Sequence, residues 1–90
     1  MSATAASTQY DNKTLSLIWL FGSKAVLGSK DLARFDRFGN LMLWSQYGKE
    51  TEHGWEVDHI IAKSRGGSDD ISNLQPLQWR ANRQKSDRLL

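Results

Sequence analysis

Cysteine is absent from the sequence, which excludes disulfides and every zinc staple built on thiolates. Any metal must therefore be held by oxygen or imidazole, and the chain offers two imidazoles, His53 and His59. Proline occurs once, at Pro76. Long apolar runs are missing as well: the stretch Leu15–Phe21 is far short of the roughly 20 residues a membrane span requires. The first residues also lack the basic-then-apolar build of a secretory signal. These absences lead to the expectation of a soluble, cytoplasmic chain with no membrane partner. There is no internal repeat and no long low-complexity segment.

What is present belongs to a folding sequence. Ninety residues make one small domain, in which a single core does most of the stabilising. An apolar share of 39%, with tryptophans at 19, 44, 55 and 79, can supply that core. The net charge of +2 is mild, but its distribution is uneven. From Arg80 to Arg88 the chain carries Arg80, Arg83, Lys85 and Arg88 against the single acid Asp87. Such a segment can contact phosphates; a solvated helix face is the alternative that charge alone leaves open.

Along the chain, residues 1–12 are small and polar and are expected to form a flexible leader, with the functional domain over 13–90. The stretch TLSLIWLFGSKAVLGSKD, broken by Gly22 and Gly28, reads as short buried pieces joined by turns. DLARFDRF reads as a brief helical turn from Asp31, ended by Gly39-Asn40. LMLW at 41–44 reads as a short strand, and WEVDHIIA, rich in β-branched residues, as a second strand running into the loop KSRGGSDD. Leu74 to Leu77 is a further extended piece, which Pro76 confines to an edge. Good helix formers then place a helix at roughly 78–87. The fold class is α+β, a small single domain whose last third runs strand, long Gly-Gly loop, strand, helix. Asn82 and Lys85, three apart, share one face of that helix.

In EVDHIIAKSRGGSDDISNL a histidine stands beside an aspartate on an apolar run. A buried histidine needs a polar partner or a task, and a satisfied core histidine is the alternative. Several separated positions narrow the choice. WEVDHIIAKSRGGSDDISNLQPLQWRANRQKSD resembles the HNH endonuclease motif, the ββα-metal nuclease fold, through its Asp-His pair, Gly-Gly loop, Asn-Leu and terminal Asn-x-x-Lys. The likeness covers roughly the last third of the chain, with a motif core over 54–88. The preceding RFDRFGNLMLWSQYGKETEHG is similar to the N-terminal part of a cysteine-free subset of such proteins.

The resemblance implies a metal-dependent endonuclease that hydrolyses DNA phosphodiesters, leaving 5′-phosphate and 3′-hydroxyl ends. His59 matches the general base, a role suited to an imidazole whose ordinary pKa is about 6.5. Asp58 matches a metal-ligating acid. Asn73 matches the middle asparagine, which braces the loop and so holds the histidine. Asn82 stands where many members have the last histidine, making this an H-N-N variant. An amide oxygen is a harder donor than imidazole, so Asp58 with Asn82 should favour Mg²⁺ or Mn²⁺ over Zn²⁺. Lys85 matches a basic position that can bind phosphate, and with Arg80 and Arg83 it would track the nucleic-acid backbone without reading sequence. Two other readings stay open: a nucleic-acid-binding module of this fold that does not cut, and an RNA-cutting toxin.

The remaining residues have plainer expectations. Gly66-Gly67 is first a turn, closed by Ser68-Asp69-Asp70. Glu56 alternates with Asp58 and reads as an exposed strand acid, with a place on the metal as the alternative. His53 is a loop residue. Trp55 and Trp79 are core anchors.

Overall fold

The computed structural model describes residues 10–25 and 31–88. Its elements are α1 (Asn12–Trp19), β1 (Ser23–Lys24), β2 (Ala33–Phe35), β3 (Leu41–Leu43), β4 (Trp55–His59), β5 (Leu74–Gln78) and α2 (Trp79–Arg88). β1, β2 and β3 form an antiparallel sheet in that order, and β4 pairs antiparallel with β5 in a second sheet. Helices and small antiparallel sheets make the α+β class, and β4, β5 and α2 supply the expected strand, strand and helix.

The first helix departs from the sequence reading. Residues 12–19 form α1, not turn-linked pieces, because Asp11 caps it by accepting Thr14 N–H at 2.8 Å. Leu15, Ile18 and Trp19 then fall on one buried stripe. Tyr10 packs against the same core. Residues 1–9 of the expected leader, and Gly28, lie outside the described residues.

DLARFDRF also differs: Ala33–Phe35 is a strand, not a helical turn. Pairing overrides local propensity here. Arg34 is buried, with its guanidinium on both Asp31 carboxylate oxygens and on Gly22 O at 2.6 Å. That pairing holds the Asp31 carboxyl below the usual carboxylate range. Asp36 closes the turn that follows, accepting Phe38 N–H at 2.9 Å and Asn40 N–H at 2.8 Å. Gly39 takes the positive φ of 86° that this turn needs.

The core lies between α1 and the strands. Trp19, Trp44 and Trp55 meet with ring centroids 4.9–5.8 Å apart, and Tyr47 joins Trp55 at 4.8 Å. Trp55, Ile18, Met42 and Leu77 are fully enclosed. Pro76 is tolerated because in a two-stranded sheet both strands are edges.

One buried carboxylate ties the two sheets together. Asp36 Oδ2 accepts Gln78 N–H at 3.1 Å across 42 residues. Gln78 is also the cap of α2, its Oε1 accepting Arg80 N–H at 2.9 Å and Ala81 N–H at 3.2 Å. The β2–β3 turn thus fixes the point where β5 becomes helix. Asp36→Ala strips partners from several of these groups, so it should lower stability by about 2–4 kcal/mol. Urea unfolding followed by tryptophan fluorescence measures it.

Candidate functional site

The site grows out of the two-residue period of β4. Trp55 and Val57 point into the core, which turns Glu56 and Asp58 to the opposite face, against α2. Both acids are buried. That corrects the expectation of Glu56 as an exposed acid: a strand covered on both faces buries its polar positions too. Helix and strand run alongside each other, so Glu56 meets Asn82 and Asp58 meets Lys85. Asn82 donates Nδ2–H to Glu56 Oε1 at 2.7 Å. Asp58 Oδ2 accepts Gln75 Nε2–H at 2.8 Å from the cross-strand position.

Lys85 completes this seam. Its ammonium lies 3.4 and 3.3 Å from the two Asp58 oxygens and donates to His59 O at 2.9 Å. Both side chains are almost closed to solvent, at 10% and 9% exposure. Three oxygens therefore converge on one cationic group.

His59 ends β4 on the other side of the strand, with its side chain 22% exposed. It is not a core histidine, and Ile60 and Ile61 beside it face solvent. Its Nε2 is 2.8 Å from Asp69 Oδ1, and Lys63 Nζ–H reaches the other oxygen at 2.9 Å. Lys63 first, then His59, hold the Asp69 carboxyl below the usual carboxylate range. A carboxylate ionised at neutral pH only accepts, so Nε2 carries the hydrogen between them, which in a neutral ring leaves the lone pair on Nδ1.

The loop after β4 is lashed by Asn73. Its Oδ1 accepts Ile61 N–H at 2.9 Å, its Nδ2 donates to Ile61 O and Ser68 O, and its backbone carbonyl accepts Ile60 N–H at 2.8 Å. Both residues after His59 are thereby fixed. Gly66 takes φ 91°, and a Cβ on Gly67 would run into Ile61 O. The glycine pair is a turn built around that carbonyl.

The helix bases separate into two kinds. Arg80 is exposed, and among the described residues its guanidinium forms no ion pair; it lies 5.2 Å from the Trp79 ring. Arg83 is already engaged, donating to Glu50 at 2.9 Å and to Glu56 at 3.4 Å, and the Glu50 bond pushes its pKa up. Trp79 is half-buried under both arginines and is not an interior anchor. His53 is a loop residue, donating Nδ1–H to Leu41 O at 3.1 Å.

No group of three or more His, Cys, Asp or Glu side chains able to hold a metal occurs among the described residues. The donor set nonetheless fits a hard divalent cation. Asp58 offers carboxylate oxygen where the Lys85 ammonium already places a positive charge, and Asn82 offers an amide oxygen, although among the described residues its hydrogen bond runs to Glu56 and none joins it to Asp58.

Residues 46–88 match the family model described as HNH endonuclease. The likeness to that family lies in this segment, just under half of the chain. The chain is also 47% identical over 34 residues to a protein named "Probable mobile endonuclease C" from Enterobacteria phage T4. That match covers 38% of this chain and 16% of the relative's length. No solved structure matches the chain. The HNH segment contains β4, β5, α2 and the loop carrying Asp69 and Asn73. No helix among the described residues is long and apolar enough to cross a membrane.

Two functional contacts were not visible in the sequence reading. Asp69 appeared only as a turn former, although a charged residue in the loop that returns beside His59 was the available signal. Gln75 gave no signal until the strand register put it opposite Asp58. The contrast between the arginines is testable: Arg80→Ala should reduce the salt slope of DNA binding by about one, whereas Arg83→Ala should change the slope less and lower the unfolding midpoint more. Fluorescence anisotropy across a salt series, with urea melts of both variants, checks this.

Proposed function

We propose that this chain is a metal-dependent endonuclease that hydrolyses DNA phosphodiester bonds, with His59 as general base and Asp58 and Asn82 as the protein ligands of one Mg²⁺ or Mn²⁺ ion. The observation that carries the proposal is the junction at the end of β4. Adjacent residues there present a buried carboxylate to the helix and an imidazole, with one nitrogen engaged, to the solvent side.

A phosphodiester repels an anionic nucleophile, so hydrolysis requires positive charge on the phosphate and leaving oxygen together with a base for water. A bound divalent cation would supply that charge. The chain's own groups do the rest. His59 Nδ1 takes the proton from water as the water oxygen bonds to phosphorus, and the bond from phosphorus to the 3′ oxygen breaks, that oxygen taking a proton from solvent water to leave 5′-phosphate and 3′-hydroxyl ends. Asp69 holds the ring in the tautomer this requires. Asn73 keeps the loop from drifting, which holds the base within reach. Arg80 meets the phosphate backbone, and weak sequence preference follows from contacts that touch no base edge. The domain proposed for this work is 13–90, with the motif core over 54–88.

A second reading, a non-catalytic nucleic-acid-binding module, is favoured by the Lys85 ammonium at Asp58. One assay separates the two. With supercoiled plasmid and Mg²⁺ or Mn²⁺, the protein should nick DNA, and His59→Ala should slow it by about 10²–10⁴-fold. Plasmid retarded in a gel but left intact with both metals would establish the binding module; a parallel RNA substrate cut in preference to DNA would establish the toxin.

A further inference from the structure

We infer that Lys85 is a built-in counter-cation that occupies the divalent-ion seat at Asp58 in the metal-free protein and must swing out for the ion to bind. This rests on the proposed cation site. Asp58 is 9% exposed in its side chain, and a carboxylate removed from water needs a compensating positive charge. Gln75 supplies a neutral donor at 2.8 Å but no charge. The charge comes from Lys85, whose Nζ touches both Asp58 oxygens and the His59 carbonyl. A small, strongly hydrated point charge amid converging oxygens copies the environment a hard metal ion seeks.

Two cations cannot share this cradle. Bringing a divalent ion to Asp58 places like charges within a few ångströms of each other, and the flexible four-carbon stem lets the ammonium leave. Lys85 sits on the same helix as the exposed Arg80, so the released ammonium has a phosphate as its natural destination. Lys85 therefore sets the affinity of the empty protein for metal and ties metal entry to the arrival of nucleic acid. By linkage, whatever draws Lys85 away from Asp58 strengthens metal binding there, and the metal returns the effect.

The experiment measures binding in the full chain without DNA. Free Mn²⁺ is counted by electron paramagnetic resonance for the wild type, Lys85→Met and Asp58→Asn. Lys85→Met should bind Mn²⁺ about tenfold more tightly than wild type, and Asp58→Asn should lose the site. Equal or weaker binding by Lys85→Met overturns the inference and leaves the cation site standing. No Mn²⁺ on wild type or Lys85→Met, or Mn²⁺ retained by Asp58→Asn, overturns the cation site and the inference with it. Lys85→Met leaves a buried carboxylate uncompensated and can misfold, so a second measurement uses wild type alone. Reductive methylation, mapped by mass spectrometry, should label Lys85 slowly without metal and several-fold faster with saturating Mn²⁺, while the exposed Lys13 and Lys49 stay constant. An unchanged Lys85 rate with Mn²⁺ bound overturns the inference.

Discussion

Two carboxylates buried on one face of a short strand set the design of this molecule. Glu56 and Asp58 cannot lie between β4 and α2 unless donors answer them. Asn82, Arg83, Gln75 and Lys85 are those donors. Their positions fix the helix over the strand, three residues of helix rise against two of strand rise, roughly 4.5 Å against 6.6 Å. The same arrangement makes the site. A strand with apolar residues toward the core and acids toward the helix is anchored on one side and charged on the other, and His59 sits where that strand ends.

The scaffold exists to hold that junction still. Trp55 and Val57 lock β4 to the tryptophan cluster and α1. Asp36 reaches from the first sheet to the β5–α2 corner, and Gln78 turns the chain there into helix. On the far side, Asn73 stitches the loop beneath His59, and Asp69 and Lys63 close over the ring. The polar devices are hydrogen bonds to groups that would otherwise be unsatisfied, and they add rigidity that so small a core cannot supply alone.

The later part of the chain was legible because its signals are local. Alternation in WEVDH, the glycine pair, Pro76 and the run of helix formers each mark an element within a few residues, and the elements appear where those marks stand. Less of the first half could be read. The α1 cap depends on Asp11 alone, and its stripe of Leu15, Ile18 and Trp19 is masked by apolar Leu17 and Leu20, which the structure leaves exposed. ARF becomes a strand through pairing with Ser23–Lys24 on one side and Leu41–Leu43 on the other, which local propensity opposes. At the candidate site, the resemblance to the HNH motif pointed to Asp58, His59, Asn73 and Asn82. The partners Asp69, Gln75 and Glu56 depend on register and loop closure, which no spacing encodes, and for Lys85 the residue was visible while its contact with Asp58 was not.

The proposed cation site lies in the β4–α2 seam that carries Asp58 and Asn82, with His59 following at the end of the strand. Mn²⁺ added at substoichiometric amounts to isotope-labelled protein tests it directly, because a bound paramagnetic ion erases nearby nuclear resonances first. The account predicts that signals of the β4–α2 seam around Asp58 and Asn82 disappear first, with His59 among them. Loss confined to the acidic loop at Glu50 and Glu52, with the β4–α2 seam untouched, would contradict it.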